Sequence, residues 1–166
     1  MMRFVSTLAS GRVVRPARRV LPGVMLIALL AVPSEAQQQK MKTYDVRLLG
    51  IRATNSNKDV SPELKPLLPT LKKLGYTGFK LMKKGGGRVA EGKSSTTTLI
   101  EGYKVRVTPL SRTGNRVKMR IEGFKREGTK DVPKWNTTVT IDRGRYHLQV
   151  QKLPGGDGLV IAVTAR

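Results

Sequence analysis

The chain has no cysteine, one histidine (His147), and few aromatic side chains: one Trp, four Tyr and three Phe in 166 residues. The lack of cysteine excludes disulfide scaffolds, Cys-ligated zinc, iron–sulfur clusters and thiol catalysis. Acids are scarce as well, 11 against 32 Lys plus Arg, which leaves a net charge of +21. The uncharged apolar stretch at 20–32 spans 13 residues and contains Pro22 and Gly23. A membrane-crossing helix needs about 20. With 39% hydrophobic and 26% charged residues, the chain has enough apolar surface to fold and argues against wholesale disorder. Its length allows one domain of ordinary size and argues against two.

The first 34 residues carry five arginines (Arg3, Arg12, Arg15, Arg18, Arg19) and no acid, and Pro33-Ser34-Glu35-Ala36 follows the apolar stretch. A basic start, a short apolar run and small residues at Ser34 and Ala36 are the three parts of a secretory signal peptide. The expected organisation is therefore a cleaved signal peptide at 1–36, a flexible stub at 37–42 and a single β-rich domain at 43–166. Localisation would be secreted or periplasmic, with no transmembrane segment after cleavage. The arginine-rich start also suits a mitochondrial presequence. Arg18-Arg19-Val20-Leu21 resembles a twin-arginine signal, with Ala17 where Ser or Thr is usual. Cleavage leaves 130 residues with 27 bases and 10 acids, net +17, so the basic character belongs to the domain.

From Thr43 apolar side chains alternate: Tyr44, Val46 and Leu48 on one side, then Leu49, Ile51 and Ala53 after a slip in phase that suggests a bulge. Ser61-Pro62-Glu63 reads as a helix start with a capping hydroxyl. Pro66 and Pro69 break the run, so a turn and a second short helix through Leu67, Leu68, Leu71 and Leu74 are expected, stopped at Gly75. Beyond it the period is two. Phe79 and Leu81 form a strand, and Gly85-Gly86-Gly87 is expected to turn the chain. Tyr103, Val105 and Val107 alternate with Lys104 and Arg106; Val117, Met119 and Ile121 alternate with Arg116, Lys118 and Arg120. Trp135, Thr137, Val139 and Ile141 lead to a tight turn at Asp142-Arg143-Gly144, after which Tyr146, Leu148 and Val150 are expected to continue the same face. The stretch 159–165 is apolar on both faces and reads as a central strand. The fold class is mainly β, an antiparallel β-sandwich or small barrel of seven to eight strands with a short helical insert near residues 61–74.

Gly87-Arg88-Val89-Ala90-Glu91-Gly92-Lys93-Ser94 fits the P-loop pattern letter for letter. A true P-loop needs a helix whose positive end meets the phosphates. Here Ser94-Ser95-Thr96-Thr97-Thr98 follows, and β-branched threonines before Gly102 favour a strand. A P-loop nucleotide-binding enzyme is thus a third-ranked reading. His147 shares its parity with Arg145, Gln149 and Gln151 and is expected on a solvated strand face. The acids are scattered, and no pair advertises acid–base or metal chemistry. No catalytic residue, cofactor or metal ligand is assigned.

The basic face carries the stronger signal. If a loop at 111–115 joins the strands around Val105 and Met119, then Lys104, Arg106, Arg116, Lys118 and Arg120 share the outer face and form a candidate anion-binding site. Opposed like charges on such a face are destabilising without anions nearby. The expected partners are an anionic polymer, lipid headgroups or an acidic protein. Sequence-specific nucleic-acid recognition is not supported, because parity sends Tyr103, Trp135 and Tyr146 to the apolar side and away from bases. Cations also solubilise β proteins and protect their edges, so the face need not be a site.

Leu64-Lys65 and the runs Leu71-Lys72-Lys73-Leu74-Gly75-Tyr76-Thr77-Gly78-Phe79-Lys80-Leu81 and Leu153-Pro154-Gly155-Gly156-Asp157-Gly158-Leu159-Val160-Ile161-Ala162-Val163 resemble a group of small exported bacterial β-rich proteins of unknown function. The resemblance implies export and a compact β-rich domain with a short helical insert, and carries no site residues across. The expected function is a non-enzymatic exported interaction or structural module of the cell envelope with a basic face for anionic partners. The alternative is a non-specific nucleic-acid-binding protein of an organelle.

Overall fold

The computed structural model describes residues 42–166. The signal peptide and nearly all of the expected stub lie outside the described residues. Strands β1 (Thr43–Thr54), β2 (Gly78–Ala90), β7 (His147–Lys152) and β8 (Gly158–Ala165) form one antiparallel sheet in the order β2-β1-β8-β7. Strands β3 (Ser95–Thr98), β4 (Tyr103–Thr113), β5 (Arg116–Glu127) and β6 (Lys130–Asp142) form the second in chain order. The eight strands are the β-sandwich that the alternation predicts.

Side chains at every second position fill the space between the sheets. Tyr44, Val46 and Leu48 from β1 and Leu159, Ile161 and Val163 from β8 meet Val105 and Val107 from β4 and Val117, Met119 and Ile121 from β5. Truncating such a buried side chain costs about 2–5 kcal/mol. A second cluster lies outside the first sheet, where Ile51, Ala53, Phe79, Val160 and Ala162 are covered by Leu64 and Leu71 of the helical segment. β8, central and covered on both faces, is buried along its whole length, as its apolar run predicts.

This two-sided covering explains the slip in phase within β1. β1 pairs with β8 in unbroken register from Val46↔Ala165 to Ala53↔Gly158. The extra residue at the Gly50/Ile51 shift belongs instead to β2, where Met82 is left without a partner. No bulge residue in β1 is needed: its start buries the inner face and its end buries the outer face as well.

The helical segment consists of a 3-10 stretch Pro62–Leu67, one α-helical turn α1 (Leu68–Leu71) and a 3-10 turn Lys72–Leu74. It ends at Gly75 with φ +81°, a left-handed cap that glycine supplies without strain. Ser61 does not cap it. The Ser61 hydroxyl accepts the Leu81 amide at 2.9 Å, and the Ser61 amide donates to the Phe79 carbonyl at 2.9 Å. These bonds stitch the segment to β2.

Three other expectations change. The glycines at 85–87 do not turn the chain; β2 runs through them, opposite Leu48, Arg47 and Val46. The β4–β5 loop is shorter than 111–115, because β4 continues to Thr113 and β5 resumes at Arg116. Only Gly114 (φ +56°) and Asn115 lie between them. The turn after Asp142 crosses between sheets and closes no hairpin. Trp135 and Val139 therefore pack between the sheets, while Tyr146, Leu148 and Val150 join the outer cluster.

Candidate functional site: a basic sheet face

Tyr103, Val105, Val107, Val117, Met119 and Ile121 are all buried, so their neighbours point the other way. Lys104, Arg106, Arg116, Lys118 and Arg120 consequently share the outer face of the β3-β4-β5-β6 sheet. The sequence brings these five together correctly but misplaces their pairing. Across β4 and β5, Arg106 faces Glu122, Thr108 faces Arg120, Ser111 faces Lys118 and Thr113 faces Arg116. Across β5 and β6, Arg116 faces Asp142, Lys118 faces Thr140 and Arg120 faces Thr138. The two-residue turn and the unpaired Leu110 set this register, and no two of the five cations stand directly opposite.

Three of the five have carboxylate partners. Lys104 Nζ donates to Asp131 Oδ2 at 2.6 Å, and Arg116 Nε to Asp142 Oδ1 at 3.2 Å. Arg106 lies 4.0 Å from Glu122 and holds its guanidinium 4.9 Å above the Phe124 ring. The hydrogen bond from Lys104 is the main reason that the Asp131 carboxyl titrates below its ordinary value, with Arg126 adding to it. Lys118 and Arg120 make no ion pair among the described residues. Both are exposed at the middle of the sheet.

Tyr103 and Trp135 pack between the sheets, as their parity predicts, whereas Tyr146 packs in the outer cluster and not on the face expected for it. Phe124 was missed: it follows Glu122 on the outer face, a position legible from the same alternation, and Arg106 covers it. His147 departs from expectation. It pairs with Val163 on the inner side of its sheet, half-buried, with Nε2 out of reach of any partner among the described residues. Desolvation lowers its pKa.

The P-loop pattern spans the end of β2, a turn and the residue before β3, with no helix after it. Its backbone amides are already used: Glu91 donates to the Lys42 carbonyl at 2.8 Å, Gly92 to Pro109 at 2.7 Å and Lys93 to Ala90 at 3.0 Å. No array of donors is left pointing at a phosphate.

A cleft of about 490 Å³ opens at the end of β1, lined among others by Arg52, Thr54, Asn57, Lys80 and Asp157. Sequence reading missed it because it gathers positions more than 100 apart, as in the 2.7 Å hydrogen bond from Arg52 Nε to Asp157 Oδ2. Hydrogen bonds from Thr54 and then Arg52 hold the Asp157 carboxyl below its ordinary value. Beyond this internal pair the cleft is lined by one further charge of each sign, Lys80 and Asp59, so it carries no net charge of its own.

Comparison with family models, curated proteins and solved structures gives no match to this chain. Among the described residues, no helix is long and apolar enough to cross a membrane.

Proposed function

We propose that this chain is a non-enzymatic interaction or structural module of the cell envelope, exported by its leader, which presents the outer face of the β3-β4-β5-β6 sheet to anionic partners. The observation that carries this reading is the side-by-side placement of Lys118 and Arg120 on β5. They are exposed, lack carboxylate partners among the described residues, and are flanked by hydroxyl side chains on both neighbouring strands. Such cations lose little on meeting an anion, because no internal ion pair has to break. The segment with the P-loop spelling has the hydrogen bonding of a strand–turn–strand connection, which supports a structural role for it.

The test is salt-dependent binding to heparin by the full chain. Each cation engaged by the polyanion adds about one unit to the slope of log affinity against log salt. Replacing both Lys118 and Arg120 with Gln is expected to remove nearly two units. Lys72→Gln with Lys73→Gln, an equal charge change on the exposed side of the helical segment, is expected to remove much less. Equal losses would contradict a dedicated face. Mass spectrometry of the secreted protein tests export, with a mature chain beginning at Gln37 expected.

A further inference from the structure

A small hollow of about 260 Å³ lies on the same face, lined by Ser111, Thr113, Arg116, Lys118 and Thr140. We infer that it is an oxyanion subsite that receives one sulfate or phosphate monoester group, with its three terminal oxygens, of an anionic glycan, an inference that rests on the reading of the basic face given above.

The hollow follows from the register. Lys118 sits on β5 between Ser111 of β4 and Thr140 of β6, and Arg116 lies two residues away beside Thr113. Neighbouring strands are about 4.8 Å apart, and alternate residues on one strand about 6.8 Å. Three hydroxyls thus flank one ammonium within reach of a single tetrahedral group. A tetrahedral oxyanion offers several acceptor oxygens; Lys supplies three donors, each hydroxyl one, and a guanidinium a planar fork. Arg116 is anchored at the rim by its bond to Asp142, which orients it and also lowers the local positive charge.

The surroundings favour a glycan over other polyanions. Thr138 flanks Arg120 on β6 and Asn136 lies beyond it, both exposed, so polar groups suited to sugar hydroxyls continue along that strand; Thr108 on the other side is buried and bonded to Ser94. A base-stacking surface would present bare aromatic rings beside the cations. The rings bordering this face are Phe124, which the Arg106 guanidinium covers, and Trp135, which lines a hollow beside it but packs against the core. Lipid binding would want apolar side chains next to the cations. The exposed large hydrophobic among the described residues is Met82, on β2 of the other sheet.

The probes are heparin and a single-stranded DNA of similar charge, titrated against the full chain carrying Thr140→Val or Ser111→Ala. Both substitutions keep the charge, and thermal unfolding checks that the variants stay folded. A hydrogen bond to a charged group is worth about tenfold in affinity, so heparin is expected to bind about tenfold more weakly to Thr140→Val while DNA binding changes by less than about twofold. Unchanged heparin binding in both hydroxyl variants, with loss in Lys118→Gln, would overturn the subsite and leave the basic-face reading standing. Equal losses for DNA and heparin would overturn the glycan assignment in favour of a nucleic-acid partner. No loss with either probe when Lys118 and Arg120 are both replaced would remove the subsite and the face together.

Discussion

Gly85 of β2 and Thr97 of β3 lie so close that a methyl group on Gly85 would stand 2.3 Å from the Thr97 hydroxyl oxygen. This contact joins one strand from each sheet and gives the glycine run its role: backbone approach at the edge of the sandwich. Gly86 adds a second constraint, with φ +111° and space for a side chain blocked by the Val46 carbonyl. Gly85→Ala is expected to destabilise the fold by about 1–3 kcal/mol through overpacking. Urea unfolding measures it, and a neutral result would show that β2 and β3 do not meet as described.

Lys93, the lysine of the P-loop spelling, is exposed in the turn after β2. Its replacement by Ala is expected to change stability by less than about 0.5 kcal/mol. Magnesium ATP is expected to leave the melting temperature of the parent chain where it was. A nucleotide-dependent rise that disappears in the variant would reinstate the nucleotide reading.

His147 provides a pH signature that one resonance can report, since it is the sole histidine. Burial holds its pKa below 6.5 in the fold. The unfolded chain therefore binds more protons just below pH 6.5, and stability is expected to fall as pH drops from 6.5 toward the folded midpoint. Above 6.5 this contribution is constant. An NMR titration of the ring gives the midpoint, and His147→Phe is expected to flatten that part of the stability profile. A midpoint at or above 6.5 would place the ring in water.

Asp142 restrains Arg116 at the edge of the oxyanion hollow, and both side chains are well exposed. Asp142→Asn is expected to cost less than about 1 kcal/mol of stability while strengthening heparin binding. A loss of binding would mean that anchoring Arg116 matters more than the charge of its partner.

β8 was legible in the sequence as an unbroken apolar run. The alternation of β4 and β5 was plain because each carries a run with a period of two. It placed the six inward residues from Tyr103 to Ile121 and the five outward cations on their proper sides. Pairing was less legible. Cross-strand partners depend on turn length and on single unpaired residues such as Leu110, Met82 and Lys134, which leave little trace in composition. The turn at Asp142-Arg143-Gly144 looked like a hairpin because its local chemistry is that of one, yet the choice to cross between sheets is made by the two cores. Hence the side of Tyr146 and Leu148, and with it that of His147, was misjudged. The hollow around Lys118 was invisible for the same reason, since it exists only in one register.

The most direct test of the central claim is an NMR titration of the isotopically labelled chain with a short heparin fragment, following backbone amides and lysine ammonium groups. The predicted result is perturbation concentrated on Lys118, Arg120, Thr138 and Thr140, spreading along β4 to β6 and sparing β1, β2 and the helical segment. Perturbation spread over Lys72, Lys73, Lys83 and Lys84 as strongly as over β5 would contradict a dedicated face and reduce its charge to a solubilising coat.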